Sequence, residues 1–178
     1  MSVMVGGGPG LEGYSVSLQD RAGNIKYYLV DETRNIYVID FKGLEKIVPV
    51  DFGYAYSKFE NMWLEQSDKK VKQLKAALVY SNVVDCYNYF YKFGRKGCDG
   101  ANGKIGVFFD ISMPADNSFY DYDNGFDRIK IGINQSESSD VLVHEYTHGV
   151  VRAETGLGAT GIQGTINEAY ADIFGQLS

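Results

Sequence analysis

The order of hydrophobic patterns along this chain predicts an α+β fold: an N-terminal antiparallel sheet region, a long central helix, and then a pair of helices. Three observations carry that expectation. Period-two alternation marks the early sequence, one long helical pattern interrupts it, and two shorter helical patterns joined by a glycine-rich connector close the chain.

The elements follow in order. "NIKYYLV" and "NIYVIDF" alternate around the turn "DETRN", a hairpin signal with Ile25, Tyr27 and Leu29 on one face and Ile36 and Val38 on its partner. Ser67 or Asp68 caps a helix of roughly 25 residues, "DKKVKQLKAALVYSNVVDCYNYFYKF". Its apolar positions, including Val71, Leu74, Leu78, Val84 and Tyr87, cover a wide arc, as expected of a central helix buried over much of its surface. Glycines in "GRKGCDGANGK" stop it. "KIGVFFDI" and "DRIKIGIN" read as strands on either side of an Asp/Asn/Tyr-rich loop, with Ile129, Ile131 and Ile133 facing one way. An N-cap at Ser138 or Ser139 opens a helix from about Asp140 to Thr155, which Gly156 ends. After "GLGATGIQG", the last helix, "TINEAYADIFGQL", carries an apolar stripe of Ile166, Tyr170, Ile173 and Leu177.

Composition narrows the function classes. A chain of 178 residues fits one domain with a real core. A formal charge of −6, with basic residues scattered, argues against a nucleic-acid partner. No stretch reaches the ~20 apolar residues of a membrane helix, so no membrane role is expected. The start "MSVMVGGGPGLEGYS" lacks the pattern of a signal peptide, so either the protein stays inside the cell or its leader has been removed. Cys86 and Cys98 are compatible with one local bridge or with two free buried thiols.

The chemistry lies in "VLVHEYTHGVV". His144 and His148 are four residues apart, so on a helix they point the same way and can chelate one Zn²⁺. Glu145 sits between them in sequence and to one side in space, able to hold a water without ligating. This H-E-x-x-H spacing is a metalloprotease signature. A catalytic zinc needs a third ligand and an open position. With only two histidines in the chain, Glu168 of "INEAYAD" is the candidate, because the glycine-rich connector allows an antiparallel helix pair. Asp172, one turn on, and Asn167 are placed to accept the outward N–H groups of the ligating imidazoles. Thr165 and Glu168 also match a capping box, which would give that carboxylate a purely local role.

"VLVHEYTHGVV" together with "GTINEAYADIFG" resembles the thermolysin family of zinc endopeptidases, the glutamate-liganded zincins. The resemblance extends to the glycine-rich start, the early hairpin, the long helix and the helix pair, in that order. It implies the N-terminal lobe of such a catalytic domain over residues 1–178, with the helical C-terminal lobe absent from this chain. It assigns His144, His148 and Glu168 as metal ligands and Glu145 as the general base, with Asn167 and Asp172 supporting the ligands. "DNSFY" resembles the family's edge strand, so Asn117 would hydrogen-bond a peptide substrate and Ser118 would offer its backbone carbonyl. The implied cofactor is Zn²⁺, the implied substrate a protein or peptide, and the implied location outside the cell.

The sequence also departs from the family pattern. No third histidine remains to stabilise an oxyanion, and Ala159 stands where a tyrosine assists in thermolysin itself. Asp140 matches one calcium-binding acid, so Ca²⁺ is a second candidate ion, although the same carboxylate also complements a helix N-terminus. The expectation is a chain weakly active or inactive alone, whose Ile166, Tyr170, Ile173 and Leu177 stripe is partly exposed or covered by a further lobe or a second copy. The alternative function is a non-catalytic, zinc-containing peptide-binding module.

Overall fold

The structure is a computed structural model that describes residues 2–5, 14–19, 25–40, 57–58, 68–109 and 116–177. Its elements are β1 (Ser2–Val5), β2 (Tyr14–Gln19), β3 (Ile25–Asp31), β4 (Ile36–Asp40), β5 (Ser57–Lys58), α1 (Asp68–Tyr91), β6 (Ile105–Phe109), β7 (Ser118–Asp123), β8 (Phe126–Ile131), α2 (Ser139–Thr155) and α3 (Gly161–Gln176). The expected α+β class holds. The glycine-rich start and Ser67, the alternative helix cap, lie outside the described residues.

The sheet runs β1-β2-β3-β4-β6-β8-β7, with β5 paired to β3. Strands β1 to β4 pair with one another antiparallel, whereas β6 lies parallel to both β4 and β8. The predicted hairpin joins β3 to β4 with Val30 opposite Tyr37. Its turn is held by the Asp31 carboxylate, which accepts from the backbone N–H of Thr33 and of Arg34 (2.9 and 3.1 Å). Both faces of β4 are buried, because Tyr37 and Ile39 are covered as well as Ile36 and Val38. A central strand of a mixed sheet is packed on two sides, and the one-sided pattern expected from alternation gives way there.

The predicted long helix forms, but its buried seam differs in detail. Ala76, Val79, Tyr80, Val83, Cys86, Tyr87 and Phe90 are buried, while Leu78 and Val84 are only half-buried. Spacings of three and four residues put that set on one face, against Ile36, Val38, Ile105, Val107, Ile129 and Ile131 of the sheet. Phe90 stacks on Tyr146 of α2, with ring centroids 5.4 Å apart and planes within 12°. Ile129 and Ile131 face this core as expected. Ile133 does not continue the strand; it opens a short 3-10 turn, Ile133–Gln135.

The Asp/Asn/Tyr-rich loop contains an edge strand, β7. Asn124 and Gly125 (φ 51° and 81°) make the two-residue turn that reverses β7 into β8, with Asp123 opposite Phe126. Asn-Gly is a favoured pair for such a turn because both positions need positive φ.

The predicted helix from Asp140 is α2, with Ser138 as N-cap, and Gly156 ends it in the left-handed region with its N–H donating to Arg152 O. Helix α3 begins at Gly161, earlier than predicted. Thr165 therefore lies inside the helix, its hydroxyl donating to Gly161 O at 3.2 Å, and the capping-box role for Glu168 is excluded. Cys86 and Cys98 are both free and buried. Burial pushes both thiols above their usual range.

Stability resides where α1 and α2 cover the sheet. Ile129→Ala, at a fully buried site, should cost about 2–5 kcal/mol in urea unfolding. Ile162→Ser, at a position 81% exposed, should stay within about 0.5 kcal/mol of the parent.

Candidate metal centre

Two helices bring the site together, and small residues are the reason they can. Helix α3 buries Gly164, Asn167, Ala171 and Gly175, spaced three or four residues apart and so aligned on one face. A β-carbon on Gly175 would stand 3.0 Å from Asp140 O and 3.5 Å from His144 Cβ. The end of α3 thus lies against the beginning of α2, and the pair is antiparallel. The stripe of Ile166, Tyr170, Ile173 and Leu177 lies off this face and is exposed, at 41–66% of its full area.

That contact places His144, His148 and Glu168 together as the sequence predicted. The two histidine Nε2 atoms are 3.1 Å apart, and Glu168 Oε2 lies 3.3 Å from one and 3.6 Å from the other. Tetrahedral zinc with ligands at ~2.0–2.1 Å needs donor atoms separated by about 3.3 Å, so this triangle fits the ion. The outward nitrogens are engaged as well: His148 Nδ1 lies 2.9 Å from Asn167 Oδ1, and His144 Nδ1 lies 3.0 Å from Asp172 Oδ1. Both acceptors draw the imidazole proton to Nδ1, leaving each Nε2 with a bare lone pair. With the protons so placed, the 3.1 Å approach of the two Nε2 atoms is no hydrogen bond. Three lone pairs then converge on one point, where a shared cation would relieve their repulsion.

Glu145 is 6% exposed. Its pKa is pushed up to about 7, first by burial and then by the charge of Glu168, with the backbone N–H of Tyr120 opposing the rise. Beside it opens a cleft of about 280 Å³, lined by Asn117, Ser118, Gln135, His144, Glu145 and Asp172 among others. The two residues offered as substrate-binding therefore border the same space as His144 and Glu145. Asn117 is exposed, its carbonyl accepting from Gly132 N–H at 3.0 Å. Ser118 is buried, with its hydroxyl donating to Gln135 Oε1 at 2.5 Å. Asp140, the candidate calcium residue, is exposed in the first turn of α2. Ala159 lies in the exposed connector between α2 and α3.

Several residues near the site were not anticipated. The Tyr120 hydroxyl donates to Asp127 Oδ1 at 2.5 Å, and Arg152 donates to both, through Nε to Tyr120 Oη (2.7 Å) and Nη2 to Asp127 Oδ1 (3.1 Å). Asp127 is buried. Burial raises its pKa, and its bonds to Tyr120 and Arg152 oppose that rise. Gly149, directly after the second histidine, has no room for a side chain: a β-carbon would lie 2.9 Å from Cys98 Sγ and 3.0 Å from Tyr120 Cε2. The sequence signal for Arg152 was its position one turn beyond His148 on the same helical face.

A mixed sheet covered by a long helix, with a His/His/Glu triangle held between two later helices, defines the N-terminal part of a mononuclear metallopeptidase fold. The comparisons make the assignment specific: the family described as thermolysin metallopeptidase, catalytic domain, matches residues 5–152, and the chain belongs to that family. Bacillolysin of Bacillus amyloliquefaciens is 30% identical over 183 residues, an alignment covering 96% of this chain and 33% of the relative. A zinc metalloproteinase of Listeria monocytogenes is 29% identical over 159 residues, covering 85% of this chain and 29% of that protein. Among solved structures, the precursor of protealysin, a metalloproteinase from Serratia proteamaculans, is similar in fold, with a TM-score of 0.58 at 18% identity. It covers 80% of this chain and 42% of its own. The chain thus spans about a third of the length of the curated relatives it matches.

Competition against a chelator should rank the site's residues. His144→Ala should abolish stoichiometric zinc binding, whereas Asp172→Ala, which removes only the acceptor of His144 Nδ1–H, should weaken it about 10–100-fold.

Proposed function

We propose that this chain is the metal-carrying lobe of a secreted zinc endopeptidase, with His144, His148 and Glu168 as ligands and Glu145 as general base. The observation that carries the reading is the triangle of three donor atoms at 3.1–3.6 Å beside a buried carboxylate on a cleft. Bound there, zinc supplies a Lewis acid that makes water nucleophilic near neutral pH and polarises a carbonyl. His144 and His148 are held by Asp172 and Asn167 in the tautomer that ligates. Glu145 takes the proton of the attacking water and returns it to the leaving amine. Burial raises the affinity of this carboxylate for a proton, which suits it to accept one from water and pass it on.

Substrate enters as an extended segment along β7, the terminal strand in the sheet order. Added as a further strand, it gains main-chain hydrogen bonds, and Asn117 and Ser118 at the head of β7 take its backbone where the cleft begins. A buried Glu145 favours hydrolysis over a purely structural or peptide-binding zinc site, which does not need a base. Asp140 is a single exposed carboxylate, and calcium takes 6–8 oxygen ligands, so the reading rests on zinc alone.

The exposed stripe of Ile166, Tyr170, Ile173 and Leu177 is the surface on which a C-terminal lobe of the same catalytic unit would pack. Relatives about three times as long have the chain to form one. On this reading residues 1–178 alone hydrolyse peptides weakly, and addition of that lobe raises the rate.

Glu145→Gln is the direct test. Zinc should remain bound at one equivalent while turnover of fluorescein-labelled casein by the full chain falls by about 10²–10⁴. Removing zinc with a chelator should abolish the same activity, and restoring it should bring the activity back. A Glu145→Gln protein that cleaves casein at the parental rate would defeat the reading.

A further inference from the structure

The edge strand and the metal helix are joined at one buried polar point, and Tyr120 is its centre. Side chains at alternate positions of a strand share a face, and on β7 three such side chains meet partners beyond the strand. Ser118 bonds Gln135, Tyr120 bonds Asp127 and Arg152, and Tyr122 lies under the Arg152 guanidinium, 3.6 Å from ring centroid to carbon. Asp127 stands directly across from Tyr122 on β8. On the other side, the Tyr120 ring lies 6.5 Å from the His148 ring, centroid to centroid, and Tyr120 Cε2 presses on Gly149. The Tyr120 backbone N–H faces the Glu145 carboxylate closely enough to favour its charged form. One residue therefore touches the proposed base and a proposed ligand with its backbone and ring, while its hydroxyl is fastened to a buried carboxylate and a cation.

We propose that Tyr120, Asp127 and Arg152 act as one positioning unit that fixes β7 against the His148 turn of α2 and so sets the alignment of Glu145 with the substrate strand. None of the three contacts the reacting atoms; they act through Tyr120's backbone. The physical case is one of tethering. Arg152 lies one turn beyond His148, so its bonds to Tyr120 and Asp127 link the far end of the zinc helix to both strands of the β7–β8 hairpin. Without the tether, a strand paired on one side only among the described residues is free to shift relative to the helix. A misplacement of about 1 Å at a catalytic site costs roughly a hundredfold in rate.

The inference rests on the metallopeptidase reading for its kinetic consequence but not for its geometry, and the test separates the two. Tyr120→Phe removes the hydroxyl and keeps the ring on His148 and Gly149; Arg152→Met removes the cation and keeps Asp127. In the full zinc-loaded chain, Tyr120→Phe should bind zinc within about threefold of the parent. The Tyr120 amide should exchange with deuterium at least about tenfold faster, while the amides of α1 are unchanged. On fluorescein-labelled casein, kcat should fall roughly 10–100-fold. The double variant should be no worse than either single one, as for residues acting as a unit. A Tyr120→Phe protein with parental amide protection and parental kcat overturns the proposal. So does one whose losses multiply with those of Arg152→Met, or whose lost activity only tracks lost zinc. Should the parent itself prove unable to cleave casein, the peptidase reading fails by that result, and amide exchange in the two variants alone decides for or against the positioning unit. Where Arg152→Met does not fold, Tyr120→Phe decides it.

Discussion

Everything in this molecule that bears on chemistry depends on how closely α3 can lie against α2. The buried face of α3 consists of Gly164, Asn167, Ala171 and Gly175, three of which carry no more than a methyl group, and Gly175 lies directly against Asp140 and His144 of α2. Larger residues would hold the helices apart, and the donor atoms of Glu168 and the two histidines would no longer converge within 3.6 Å. Helix packing supplies the constraint that brings these three donor atoms together, in a spacing that a divalent cation would match.

The sheet supplies the other half of the geometry. Parallel pairing of β6 with β4 and β8 carries the chain to the edge, where β7 turns back antiparallel over a two-residue Asn-Gly turn. The same strand then meets α2 side-on, so the cleft has a helical wall carrying Glu145 and a strand wall carrying Asn117 and Ser118. A rigid floor of Ile36, Val38, Ile105, Val107, Ile129 and Ile131 lies beneath.

Much of this was legible in the sequence, and what was missed has physical reasons. Local signals worked: the His144–His148 spacing, the Gly156 stop and the alternation of "DRIKIGIN" depend on a few neighbouring residues each. The thermolysin-family likeness carried the rest of the site, since nothing local places Glu168 near the histidines. Thr165 misled because a capping box and a mid-helix threonine look alike when the preceding glycines hide the true helix start at Gly161. Composition alone makes β7 look like loop, because Asp, Asn and Tyr dominate it, whereas the likeness of "DNSFY" to an edge strand points to the strand that forms. Of the Tyr120–Asp127–Arg152 network only Arg152 had a local signal, its place one turn beyond His148; the three meet only after three elements pack, and no spacing rule connects them.

The buried thiols bear on how zinc acts during folding. In the native fold Cys86 and Cys98 are sealed, and burial keeps their sulfurs protonated and inert towards metal. Once the chain opens they become ordinary cysteines, and together with His144 and His148 they offer zinc a competing set of soft ligands. A metal that binds both ends of an equilibrium stabilises the native end by less than its native affinity would suggest. If zinc binds the native site, excess zinc during refolding would have two opposed effects, favouring the finished site while detaining chains whose sulfurs have not yet been buried.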